Sequence, residues 1–216
     1  MTGIVDFHTH AFPDALADRA VEALETAGRV KAFRRGTVAA LLEAMDAAGV
    51  ARSVLCSIAT KPAQFEGILA WSKSVRSARI EPLPSIHPAD PDPAEKLSIV
   101  AGEGFAGIKL HPYYQDFEIA DPTLHPIWEA AVRENLFVVF HAGYDIAFTL
   151  HRRAAPAAIR DVARAFPELR IVATHLGGYG MWDEVETTLA GSGVYLETSF
   201  TLPFLTPERV KNIIGM

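Results

Sequence analysis

The 216 residues carry 26 acidic and 20 basic side chains, a net charge of −6, and half of them are hydrophobic. This is the composition of a globular chain, and an acidic balance without any basic run argues against nucleic acid or an anionic membrane as partner. The single cysteine, Cys56, excludes an intramolecular disulfide and a thiolate-rich structural zinc site.

The chain runs directly into an apolar strand, Gly3-Ile4-Val5-Asp6-Phe7-His8-Thr9-His10, with no secretory leader pattern ahead of it. No apolar stretch approaches the roughly 20 residues of a membrane span, so a soluble cytoplasmic protein is expected. On a strand, Asp6, His8 and His10 share parity and point to one face. Two steps of about 3.3 Å place the His8 and His10 Cα atoms roughly 6.6 Å apart, within reach of one metal ion. A pair of surface histidines at a strand end is the other reading of the same residues.

Helical spacing predicts helices over 14–29 and 37–48, the second with Thr37 as N-cap and Gly49 as its stop. A regular alternation follows. Strands are expected at 52–58, 80–86 (broken by Pro82 and Pro84), 105–110, 136–140, 169–174 and 194–198. Helices are expected at 63–77, 93–102, 124–134, 155–165, 181–190 and 207–214. Seven short apolar strands alternating with helices make an α/β protein with parallel strands covered on both faces. A doubly wound sheet would gather its ligand residues at one switch point. Here polar residues recur at strand after strand: His8 and His10, His87, Lys109 and His111, His141, His175, Glu197 and Ser199. That distribution predicts a (β/α)8 TIM barrel with its site at the C-terminal strand ends. The eighth strand is missing from the sequence, so residues 1–216 are expected to form one barrel domain, C-terminally incomplete. Its unclosed edge would favour a homo-oligomer.

Cys56 lies among Val54, Leu55 and Ile58 and reads as a small buried hydrophobe. His141 ends the apolar run Leu136–Phe140 and is followed by Ala142-Gly143. His175 ends Ile171–Thr174 and is followed by Leu176-Gly177-Gly178. Each alone reads as a satisfied core histidine or as a ligand. Two on consecutive strand ends, in a barrel that already presents His8 and His10, favour function. His87 and His111, each before a proline, leave structural and pocket-lining roles equally open. His125 reads as structural. Arg152 and Arg153 read as a solvated basic run, and Tyr113, Tyr114, Phe117 and Trp182 as packing residues that also border the pocket.

Asp6-Phe7-His8-Thr9-His10, His141 and His175 together resemble the amidohydrolase superfamily of metal-dependent TIM-barrel enzymes. Gly107-Ile108-Lys109-Leu110-His111-Pro112, His141-Ala142-Gly143 and His175-Leu176-Gly177-Gly178 are similar to the branch that includes aminocarboxymuconate-semialdehyde decarboxylase. The resemblance implies that His8, His10 and His141 ligate one divalent metal, Zn2+ or another. It implies that His175 acts beside the metal as base or hydrogen bonder. The family's strand-eight aspartate has no counterpart in this sequence. Lys109 is open between a substrate-carboxylate binder, a carboxylated bridge between two metals and a structural ion pair. The first is preferred, with Lys109, His111 and Tyr113 as substrate-binding residues. The expected function is hydrolysis of an amide, ester or lactone of a small, carboxylate-bearing substrate. Non-oxidative decarboxylation is the alternative, and a catalytically inactive barrel the third reading.

Overall fold

Strand β1 (Ile4–Thr9) pairs in parallel with β2 (Val50–Cys56), and β2 with β3 (Ile80–Leu83). A second parallel set follows in chain order: β4 (Gly107–Leu110), β5 (Phe137–Phe140), β6 (Ile171–Ala173) and β7 (Tyr195–Leu196). This computed structural model describes residues 3–148 and 151–216. Two helices, α1 (Asp14–Gly28) and α2 (Val38–Ala48), lie between β1 and β2. Each later pair of strands is joined through one: α3 (Phe65–Val75), α4 (Pro93–Gly102), α5 (His125–Arg133), α6 (Pro156–Ala165) and α7 (Trp182–Glu184), the last continuing as a π turn to Leu189. Helix α8 (Pro207–Gly215) follows β7. These are seven strands of a (β/α)8 barrel wall, with order and handedness set by the helical crossovers.

The two sets meet at a proline seam. Pro82 and Pro84 have no N–H to give to a ladder, so β3 stops at Leu83 instead of running to residue 86. Contact passes instead through Lys109 N–H to the Pro84 carbonyl (3.0 Å) and the Ser85 hydroxyl to the Lys109 carbonyl (2.8 Å).

Alternation along the strands divides the core. Val54, Cys56, Leu83, Val139 and Val172 pack together inside the wall, with Phe7 and Phe137 against them. Leu55 and Ile80 point the other way, onto Met45 of α2. The largest cluster lies between the second strand set and its helices, around Trp128, Phe140 and Ile108. Cys56 is the expected buried thiol, and burial pushes its pKa up to about 12, which leaves it unreactive in the folded protein.

Among the described residues, β1 and β7 each have an unpaired outer edge. Ile4, Val5 and Tyr195 there are 63%, 52% and 64% exposed. A cleft of about 970 Å3, lined by Val5, Phe7, Phe137, Val172, Leu196 and Phe200 among others, separates the two strands. No helix among the described residues is long and apolar enough to cross a membrane.

Candidate metal centre

The C-terminal ends of β1, β4, β5, β6 and β7 carry the side chains expected to do chemistry, and the fold brings most of them together. On β1 the pairing register slips between Asp6 and Thr9. Thr9 turns into the wall and donates its hydroxyl to the Val54 carbonyl (2.8 Å), while His8 and His10 face the mouth with their Nε2 atoms 3.1 Å apart. Asp6, expected on the same face, instead accepts from the His8 backbone N–H (3.3 Å) and lines the cleft beside β7. His141 follows β5, and its Nδ1 lies 3.1 Å from His175 Nε2. The His8 and His175 rings are 5.2 Å apart.

His175 reaches this position on strained backbone. His175 and Leu176 have φ of +58° and +52°, the left-handed region that costs a non-glycine residue about 1–3 kcal/mol. The turn is held by Leu176 N–H on the Glu197 carbonyl (2.5 Å) and Gly177 N–H on the Thr174 carbonyl (3.1 Å). Gly143, two residues after His141, has φ +84° and packs so tightly that a Cβ there would sit 2.1 Å from the Tyr179 nitrogen. Gly143→Ala is therefore expected to cost about 3 kcal/mol, from strain plus overpacking, and to lower the melting temperature by about 6–12 °C. Urea and thermal unfolding would measure it; an unchanged midpoint would contradict the close approach.

The outer nitrogen of each imidazole decides the role of the inner one. A neutral imidazole has one N–H and one lone pair. His10 Nδ1 faces the Cys56 carbonyl (2.9 Å), His175 Nδ1 the Ser199 carbonyl (3.0 Å) and His141 Nε2 the Tyr144 carbonyl (3.1 Å). Carbonyls only accept, so these three outer nitrogens carry the protons. His8 Nδ1 faces the Ser199 hydroxyl (3.0 Å) and the Glu197 carboxylate (3.3 Å), and its Nε2 accepts from Lys109 Nζ (3.1 Å). Four lone pairs thus turn inward: His8 Nε2, His10 Nε2, His141 Nδ1 and His175 Nε2. Lone pairs face each other at 3.1 Å in both pairs, and at His8 the Lys109 ammonium shares the same lone pair. Tetrahedral nitrogen ligands at 2.0–2.1 Å from an ion are themselves about 3.3–3.4 Å apart. Among the described residues the side chains close enough to share an ion, with ligand atoms all within 4.8 Å, fall into two groups: His8, His175 and Glu197, and His111, His141 and Asp145. Imidazole nitrogens and carboxylate oxygens of this kind suit a divalent ion, and the outer partners are of the kind that orient ligating histidines.

Burial also keeps the rings neutral. It holds His8, His111 and His141 well below the usual histidine range, helped at His8 by the Lys109 charge. It brings His175 to about 4, and the surrounding protein and Lys109 bring His10 to about 4 as well, although His10 keeps an accessible edge. Lys109 is fully buried, and burial lowers it to about 8. No carboxylate lies within 4.0 Å of its ammonium among the described residues. Burial raises Glu197 against the opposing hydrogen bonds from the Ser199 hydroxyl (2.8 Å) and N–H.

His111 stacks on His141 at 4.2 Å. Tyr113 is buried, and its hydroxyl lies 2.7 Å from both the Gly143 and His151 carbonyls. Its ring, not its hydroxyl, is left to border the site. His87 stands apart, its Nδ1 accepting from Ala89 N–H (3.1 Å), and His125 packs edge-on against Phe166. Arg152 and Arg153 are ion-paired with Glu184 and Asp116. In the loop after β5, Thr149 and Leu150 lie outside the described residues. Two residues gain a place that the sequence did not assign. Glu197 is visible there only as one more polar strand end. Asp145, in the loop after β5, has no periodicity to mark it, yet its carboxylate lies 3.4 Å from His111 Nε2 and 3.7 Å from His141 Nε2.

No curated protein matches the chain by sequence. Among solved structures, an uncharacterized TIM-barrel protein from Bordetella bronchiseptica superposes with a TM-score of 0.71 at 17% identity, over 90% of this chain and 74% of that one. A 5-carboxyvanillate decarboxylase from Novosphingobium aromaticivorans, with bound manganese and a substituted nitrobenzoic acid, gives 0.61 at 13% identity, over 89% and 74%. A 4-oxalomesaconate hydratase from Rhodopseudomonas palustris gives 0.54 at 15% identity, over 97% and 77%. These likenesses establish the fold and leave the reaction open, since one barrel hosts many chemistries. The sequence model of the amidohydrolase family matches residues 5–215, nearly the whole chain. The chain belongs to the amidohydrolase family.

Proposed function

We propose that this protein is a metal-dependent hydrolase of a small, carboxylate-bearing substrate, with one Zn2+ per chain. The observation that supports it most is the set of four imidazoles whose outer N–H groups are all taken, leaving four lone pairs turned inward. His8, His10 and His141 would hold the ion. Bound there, a divalent ion supplies Lewis-acid chemistry, polarising a carbonyl and acidifying water. His175 keeps its Nδ1–H on the Ser199 carbonyl and its Nε2 free, so it can take a proton at that atom during attack on an amide, ester or lactone. Glu197 orients His8 and stabilises its Nδ1–H tautomer. Lys109, a buried cation with no carboxylate within 4.0 Å among the described residues, would bind the substrate carboxylate, with His111 and the Tyr113 ring beside it.

Decarboxylation is the second reading. It is favoured by the aromatic walls of the mouth: Tyr114 packs on Phe148 (5.0 Å), and Tyr179 on Phe200 (5.4 Å). Such walls suit a flat conjugated acid. A panel of lactones, esters, amides and aromatic carboxylates, offered to the Zn2+- and Mn2+-loaded protein, separates the two. Hydrolysis predicts acid release without CO2. CO2 release without carbonyl cleavage would replace it with decarboxylation, and neither signal would overturn both.

A further inference from the structure

We propose that Asp145 is a positioning residue of this centre. It fixes the proton of His111 on Nε2 and supports the same tautomer at His141, so that the His141 Nδ1 lone pair stays turned to the centre. The inference rests on the metal-centre reading above.

The carboxylate has two distinct jobs. Its Oδ1 accepts from the Ala147 N–H (2.8 Å), which closes a turn in the loop after β5 and fixes how the side chain stands. Its Oδ2 is thereby turned to His111 Nε2 (3.4 Å) and His141 Nε2 (3.7 Å). These are charge contacts, longer than ideal hydrogen bonds. The side chain is only 10% exposed, so solvent does little to screen them. A carboxylate oxygen offers only lone pairs, so a nitrogen facing it is favoured in its N–H form. At His141 this reinforces the Tyr144 carbonyl, which accepts from the same nitrogen (3.1 Å). At His111, among the described residues, no backbone carbonyl shares the task, and Asp145 is the group that faces Nε2.

The consequence lies at the other nitrogen of His111. With the proton on Nε2, Nδ1 carries a lone pair. That atom is buried and has no hydrogen-bond partner among the described residues, on a side chain 6% exposed. Buried polar atoms are rarely left so, and each such case calls for a partner. His111 stacks on His141, one of the four inward-facing rings, and lies against Tyr113 and Tyr114 at 6.2 and 4.7 Å.

The test uses Zn2+ alone, titrated against a chromophoric chelator, together with 15N spectra that read the histidine tautomers of the metal-free protein. Asp145→Asn is the sharper variant. The asparagine oxygen is expected to keep the Ala147 N–H, which turns the amide N–H2 toward the imidazoles and drives the His111 proton to Nδ1. Asp145→Ala removes the influence altogether. Both are expected to weaken Zn2+ about 10–100-fold, the loss typical of an orienting partner. His111→Ala is expected to bind Zn2+ within threefold of wild type, because His111 is not a ligand. The wild-type spectrum should show the Nε2–H form of His111, and the asparagine variant the Nδ1–H form. An unchanged His111 tautomer in both Asp145 variants would overturn the proposal, even if one of them folds poorly. Loss of Zn2+ in His111→Ala as large as in Asp145→Ala would overturn it too, making His111 a ligand. A wild type that binds no Zn2+ would instead fail the metal-centre reading, while the metal-free spectra still report on Asp145.

Discussion

His10→Ala is expected to weaken Zn2+ binding about a hundred- to thousandfold and to leave the metal-free protein as stable as wild type. The first number follows from dividing a typical zinc binding free energy, about 10–16 kcal/mol, among four ligand positions, and converting at about 1.4 kcal/mol per tenfold. The second follows from what His10 does without metal. Among the described residues its only outward bond is to the Cys56 carbonyl, its edge is accessible to water, and its Nε2 lone pair opposes that of His8 at 3.1 Å. Removing the ring loses one hydrogen bond and relieves one repulsion. A structural histidine would behave in the opposite way, with a loss of stability and no change in metal affinity. Chelator competition and urea unfolding of the metal-free protein distinguish the two.

Lys109→Met is expected to stabilise the metal-free protein by about 3 kcal/mol at pH 7 while abolishing binding of a carboxylate probe such as benzoate. The lysine is fully buried and its pKa falls from 10.5 to about 8, mainly because burial disfavours the charged form. At about 1.4 kcal/mol per unit, that difference is a cost of about 3 kcal/mol wherever both states are charged. The sign follows from proton counting. Between pH 8 and 10.5 the unfolded chain binds more protons at Lys109 than the folded one, so this group makes wild type more stable as pH rises through that window. Below pH 8 the full penalty applies. The advantage of the methionine variant should therefore be largest at pH 7 and shrink toward pH 10. A variant less stable than wild type at pH 7 would mean that Lys109 has a structural role, with no need of a ligand.

Keeping such a residue is understandable if a ligand completes it. A buried ammonium whose nearest acceptor is one imidazole is poorly compensated. The same holds for the facing lone pairs at His8–His10 and His141–His175. Each is a local loss of stability in the empty centre, and each becomes favourable when a cation and an anion are bound. Local conflicts of this kind concentrate at functional sites.

Much of this was legible in the sequence. The strands showed as short apolar runs and the helices as 3.6-residue stripes, and Thr37 and Gly49 bound α2 as their chemistry predicts, with the Thr37 hydroxyl accepting from Ala40 N–H. The strand ends were less legible. The wall narrows at Pro82 and Pro84, and β7 shortens from residues 194–198 to Tyr195–Leu196, because pairing, which periodicity does not encode, sets where a strand stops. The four imidazoles stood out as polar residues ending apolar strands. Their outer partners did not, because the Cys56, Tyr144 and Ser199 carbonyls are backbone, and any residue could supply them. Asp145 was hidden for a related reason: it acts from a loop, where the fold and not the spacing brings it to His111.

The proposed centre holds one divalent ion on His8, His10 and His141, with His175 Nε2 left free beside it. Elemental analysis after Zn2+ loading and gel filtration tests it most directly. One equivalent of zinc per wild-type chain and near-zero retention in His10→Ala are expected. Near-zero retention in the wild type would contradict it, as would two equivalents.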